Sequence, residues 1–453
     1  MLALSIEKKR ELRVFLRMLA NTVGAVGLVA VLASCGTSPG YSYTIGGTVS
    51  GMVGSGMVLQ NNGGDDQSIS ANGSFSFATP LTSGTAYAIT VKTQPTKPSQ
   101  TCSVSNGSGT INGAPVGNVV VDCVTGPTSV TVDPSGQFAY AANTDGTISA
   151  YTINQATGEL EDNIPGNPFA AGTYPTSVVT VSVGTTVFAY AVNTVGGTIS
   201  AYTIDQATGA LINNIPGNPF PAGTYPTSVT VDQSKKFVYV ANMGDSTISV
   251  YKINSDGTLT ALGTAVAAGT SPTSIITVDL PLVGEFAYLA NMSDKTIWFY
   301  SINSSNGNLT YLGQVAAGTY TSSVTVDQSG KFAYAANEGS NNISVYTIDQ
   351  TTGALVAGTA VAAGTSPTSI ITVDLPVVGE FAYATNSLDG TIWFYSINSS
   401  NGNLTYLGQV AAGTYPSSVT VDPSGRFAYA ANMGGGNISV YTIDQTTGAL
   451  TPQ

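Results

Sequence analysis

At 453 residues the chain has room for more than one domain, and only 8% of it is charged. Its 42% hydrophobic content argues against a disordered chain, and its wealth of Gly, Thr, Ser, Ala, Val and Tyr suits short strands joined by tight turns. Beyond Cys35 the body carries Arg426 and seven lysines against 23 acids, a net charge of −15, so it has no cation cluster for nucleic-acid phosphates.

The first segment reads as a targeting signal. Lys8, Lys9, Arg10, Arg13 and Arg17 precede an apolar, small-residue run ending at Cys35, with 17 residues between Arg17 and Cys35. That is marginal for a spanning helix and in the style of a secretory signal. The ending Leu32-Ala33-Ser34-Cys35-Gly36 resembles the bacterial lipobox. The resemblance implies a signal peptide over 1–34, a diacylated Cys35 as first mature residue, and a tether over 35–44. An ordinary signal peptide that happens to contain a cysteine is the alternative. Gly36, rather than Asp, follows the cysteine, which implies outer-membrane sorting in a Gram-negative source, with the membrane as partner through Cys35. Export leaves Cys102 and Cys123 as an even pair in an oxidising compartment, where a disulfide is the default. A free thiol pair is the other reading, without CxxC spacing to support redox work.

Residues 45–125 do not repeat. Alternating runs such as Met57-Val58-Leu59-Gln60, Tyr87-Ala88-Ile89-Thr90-Val91 and Val119-Val120-Val121, separated by turn chemistry, predict a small β-sandwich closed by Cys102–Cys123. The stretch resembles the immunoglobulin-like or carboxypeptidase-regulatory-like spacers of exported bacterial proteins. Asp65-Asp66 reads as a solvated turn, since two adjacent carboxylates are not a metal cage.

Residues 126–453 repeat. The marker Pro-Thr/Ser-Ser-Val/Ile recurs at Pro127, Pro175, Pro226, Pro272, Thr321 (proline replaced), Pro367 and Pro416, at intervals of 46 to 51 residues. Seven units, each long enough for four short strands, predict a seven-bladed β-propeller and an all-β chain. In the first unit the strands are Ser129–Val132, Phe138–Ala142 and Thr147–Ile153, followed by an outer strand. The aspartates at 133, 232, 279, 327, 374 and 422 are predicted to end first strands and cap turns. The asparagines at 143, 193, 242, 291, 337, 386 and 432 read as turn formers.

Tyr239-Val240-Ala241-Asn242 and its variants are similar to the YVTN-type repeat. With the Asp-x-Ser-Gly-x-Phe-x-Tyr core and the Thr-Gly-x-Leu turn, the unit resembles the lactonase-like family of seven-bladed propellers, which includes 6-phosphogluconolactonases. The resemblance implies fold more strongly than activity, because propellers host unrelated functions.

The chain contains no histidine, which removes the commonest general base and every Ser-His-Asp arrangement. A phosphorylated substrate would want arginine, yet the propeller offers only Arg426, in a turn position where Gln137, Lys236 and Lys331 stand in other blades. No catalytic residue, metal ligand or cofactor is assigned. Blades four and six differ at only six of 49 positions, and such near-copies offer one surface several times. Tyr174, Tyr225, Tyr320 and Tyr415 precede four markers. Asp145, Asp245, Asp294 and Asp389 follow second strands, where propeller loops share one face. Aromatics beside acids could bind a glycan or an envelope protein. The plainer reading is that each Tyr covers its own blade edge, and that Trp298 and Trp393 pack. The expected function is an envelope-anchored, non-enzymatic binding or scaffold propeller. The alternatives are an exported lactonase-type hydrolase using acidic residues and a metal, and a purely structural component. The last blade stops at Thr451-Pro452-Gln453 and is expected to have three full strands and a stub, with Asn118–Cys123 belonging to the small domain.

Overall fold

The computed structural model describes residues 41–50, 52, 56–95, 101–124 and 126–453, and every regular element among them is a strand. The signal segment and Cys35 lie outside the described residues.

Before the repeats, two four-stranded sheets enclose one core. In the first, Ile45–Ser50 pairs in parallel with Val116–Val124, which pairs antiparallel with Thr101–Ser105. The second is built on Met57–Asn61, whose alternate residues Met57, Leu59 and Asn61 are buried. In the first sheet Gly47 is needed, because a Cβ would sit 1.9 Å from the Val119 carbonyl oxygen. Asn118–Cys123 lies inside this sheet and does not pair with 437–443.

From Pro127 the chain forms seven antiparallel sheets, each running first, second, third and outer strand. In blade one these are Pro127–Val132, Phe138–Asn143, Thr147–Ile153, then two short outer pieces, Leu160–Glu161 and Phe169–Ala170. Second strands are buried almost throughout, since both faces meet a neighbouring blade, and their alanines let the sheets approach.

The repeated residues prove to be bonds between blades. The hydroxyl following each marker residue donates to the first carbonyl of the next marker, from Thr128 to Pro175 O (3.0 Å) round to Ser417 to Pro127 O (3.1 Å). The next serine accepts a backbone N–H from the following blade, as Ser129 Oγ does from Val178 at 3.2 Å. Farther out, Tyr140 donates its hydroxyl to the Gly209 carbonyl of blade two (2.9 Å), and all seven blades repeat this bond at 2.9–3.1 Å.

Some sequence expectations need correction. Asp133 caps its turn, accepting from the N–H groups of Ser135, Gln137 and Phe138 at 2.9–3.1 Å. Asp279 and Asp374 do not cap turns. They lie inside longer first strands opposite Glu285 and Glu380, because Leu-Pro-x-Val-Gly shifts the hairpin outward. The asparagines after the second strands are more than turn formers. Asn193 is fully buried, accepts the Gly172 N–H (3.0 Å) and donates to Thr198 and Ser200. The last blade agrees with expectation: after three full strands its outer strand is the short Leu450–Pro452, with Pro452 opposite Tyr441.

Candidate functional site

Lead-in loops and the loops after second strands meet on one face of the ring. The N–H groups of Thr194, Met243, Glu338 and Met433 donate to the carbonyls of Tyr174, Tyr225, Tyr320 and Tyr415 at 2.9–3.0 Å. These four tyrosines have φ of 50–59°, a left-handed conformation that Ser271 and Ser366 share at the equivalent position in blades four and six. The loop geometry therefore demands it whatever the side chain. Tyr225, Tyr320 and Tyr415 are 48–59% exposed and Tyr174 is half-buried. The ring of each exposed tyrosine rests on a glycine of its own blade. A Cβ on Gly244, Gly339 or Gly434 would come within 2.5–2.8 Å of Tyr225, Tyr320 or Tyr415. Each phenol is thus in contact with its own blade while about half of the residue stays exposed.

The predicted acids divide. Only Asp245 shares a blade with a predicted tyrosine, Tyr225, and the two line one open cleft of about 370 Å³ with Thr194, Val195, Gly223 and Thr224. Asp245 accepts the Thr224 N–H at 2.5 Å, and that bond holds its carboxyl below the usual range. Asp294 and Asp389 likewise accept the N–H groups of Thr270 and Thr365, in blades whose lead-in residue is serine. Asp145 caps its own turn through Thr147. Their common first role is to hold loops. Trp298 and Trp393 pack on Tyr311 and Tyr406 with centroids 4.7 Å apart, and their indole N–H groups are buried without a partner.

One residue escaped sequence reasoning. Glu338 follows Asn337 where blades two, three and six carry Thr194, Met243 and Ser387. In blade two this side chain reaches inward, Thr194 Oγ1 donating to Pro226 O of the next first strand at 2.6 Å. Glu338 is half-buried, and burial alone raises its carboxyl above the ordinary range, with no cation or hydrogen bond to lower it. Its signal in the sequence was being the only carboxylate at that position.

At the opposite end, Glu285 Oε1 accepts the Gln233 N–H (2.6 Å) and Glu380 Oε1 that of Gln328 (2.7 Å). Buried Asp232 and Asp327 stand nearby. Among the described residues no group of three His, Cys, Asp or Glu is placed to hold a metal ion. Arg426 is not merely a solvated turn residue. It donates to Gln155 O of blade one at 2.7 Å and lies 4.9 Å over the Phe427 ring.

No curated protein matches the chain. Among solved structures, a candidate 6-phosphogluconolactonase from Bacteroides uniformis is 23% identical, with 73% of this chain and 95% of that chain covered at a TM-score of 0.59. A second, from Bacteroides fragilis, is 22% identical, covering 73% and 93%, with a TM-score of 0.56. The periplasmic gluconolactonase of Pseudomonas aeruginosa is 16% identical, covering 64% and 86%, at 0.52. At these identities the likeness is one of fold. The family model described as "Lactonase, 7-bladed beta-propeller" matches residues 145–277, 268–373 and 372–453, and the chain belongs to that family.

Proposed function

We propose that the loop face binds and hydrolyses an uncharged, sugar-derived lactone, with Glu338 as the general base. The observation that carries this reading is Glu338 itself, the one carboxylate at its repeat position, with its pKa raised by burial. A base poised nearer to neutrality is what proton transfer at neutral pH requires. Glu338 takes a proton from water as the water oxygen attacks the lactone carbonyl. The ring C–O bond then breaks, and the leaving ring oxygen recovers the proton, giving the hydroxy acid. The half-open phenols of Tyr225, Tyr320 and Tyr415 offer apolar faces to a sugar ring. Charge argues for a neutral substrate. Arg426, Lys235, Lys236 and Lys331 lie in the turns between first and second strands, leaving Lys295 among the second-to-third loops.

The test is hydrolysis of glucono-δ-lactone by the full chain, followed by acid release near pH 6.5 against the uncatalysed rate. Glu338→Gln is expected to lower turnover by about 10²-fold or more, the usual contribution of general-base catalysis. No turnover above background overturns the hydrolase reading and leaves a binding or scaffold propeller, the role that half-exposed tyrosines also fit.

We further propose that Cys35 carries a lipid anchor and sets the propeller in the cell envelope, supported by the basic, apolar and small-residue order of residues 8–35.

A further inference from the structure

We propose that the cleft between the first turn of blade three and the first hairpin of blade four binds a primary ammonium group on a short aliphatic chain. The cleft is open, of about 570 Å³, and lies at the end of the ring opposite the exposed tyrosines. Gln233 of blade three lines it together with Asp279, Val283, Glu285, Ile302 and Asn303 of blade four.

Glu285 is the reason to look there. It is only 7% exposed, and while its Oε1 accepts the Gln233 N–H at 2.6 Å, its Oε2 is buried without a hydrogen-bond partner. A buried carboxylate oxygen left unpaired is costly. Asp279 stands directly opposite Glu285 across the hairpin, and like charges so placed weaken a strand pair. Asp279 is exposed, and its carboxylate makes no hydrogen bond or ion pair among the described residues.

The protein's own cations do not answer this charge. Lys235 and Lys236 share the turn of Gln233 and are exposed, yet the only ion pair among the described residues joins Lys92 to Asp66. Buried Asp232 is already engaged by the N–H groups of Lys236 and Phe237 at 2.7 Å. Burial, then the Asp232 charge, disfavours an ionised Glu285, and a bound cation would offset both.

The lining selects an ammonium group. Its three N–H bonds diverge from one atom, and the two carboxylates with a side-chain carbonyl of Gln233 or Asn303 supply three acceptors. Val283 and Ile302 offer apolar surface to the aliphatic stem. The same residue types recur between blades five and six, as Gln328, Asp374, Val378, Glu380, Ile397 and Asn398.

The probe is 1,5-diaminopentane, titrated into the full chain by calorimetry at pH 8 in about 0.15 M salt, which screens diffuse attraction to an acidic protein. Saturable binding is expected, with none for 1,5-pentanediol. Glu285→Gln keeps the acceptor for the Gln233 N–H, and Asp279→Asn alters an exposed side chain, so both retain the fold. Each is expected to weaken one equivalent of binding about tenfold or more, the worth of a hydrogen bond to a charged group. No saturable binding of the diamine, or unaltered binding in either variant, overturns the proposal. Equal binding of the diol, or displacement of the diamine by equimolar calcium, overturns the assignment to ammonium.

Discussion

The Tyr429 hydroxyl donates to the Gly158 carbonyl at 3.1 Å, joining residues 271 apart and closing the seventh interface with the bond used at the other six. Tyr429 is fully buried, so Tyr429→Phe leaves a buried carbonyl unsatisfied, at a cost of about 1–3 kcal/mol. Urea unfolding monitored by circular dichroism should show a lower midpoint for this variant. Gly158→Ala should cost more. Its φ is 83° and its Cβ would sit 2.3 Å from Phe427 Cδ1, against the ring that packs blade seven on blade one. An unchanged midpoint in both variants would show that this closing contact contributes nothing.

The two carboxylate pairs set a pH dependence. Burial, then the Asp327 charge, pushes Glu380 up to about 7, and burial with Asp232 raises Glu285. The folded state therefore holds protons that the unfolded chain releases near the ordinary glutamate value. The stability this contributes is full below about 4.5 and is lost as pH rises through about 7. Glu380→Gln keeps the acceptor for the Gln328 N–H and removes the titration. Between pH 5.5 and 8 its urea midpoint should fall less than that of the unaltered protein, and at pH 8 it should be the more stable. Parallel pH profiles would refute the assignment.

The fold was legible because the repeat fixes strand count and period. The purpose of each repeated residue was not, because its partner stands in the next blade: Tyr140 meets Gly209, and Thr128 meets Pro175. Local turn logic therefore undervalued Asn193, whose bonds reach back to the lead-in loop at Gly172. The same logic assigned caps to Asp279 and Asp374, where a longer hairpin had moved the turn. Glu338 stayed hidden because one glutamate in an exposed-looking loop carries no motif.

The proposed lipid anchor predicts a chemical mark. Metabolic labelling with a fatty-acid analogue should tag the protein, and Cys35→Ala should abolish the label while leaving precursor or released protein. Label retained by that variant would place the modification elsewhere.

The disulfide should stabilise one unit alone. Cys102 lies directly opposite Cys123 on neighbouring strands, and both are at least 96% buried in a core that includes no propeller residue. A cross-link spanning 21 residues removes loop entropy worth about 3 kcal/mol from the unfolded chain. The paired change Cys102→Ala with Cys123→Ala should therefore lower the unfolding midpoint of residues 41–124 and leave the propeller's transition where it was. Tryptophan emission separates the two, because Trp298 and Trp393, the chain's only tryptophans, both lie in the propeller. Circular dichroism follows both units together. A shift of the tryptophan transition by the same amount would show that the two units unfold as one. No shift in either signal would show that the cross-link constrains a segment already compact when unfolded.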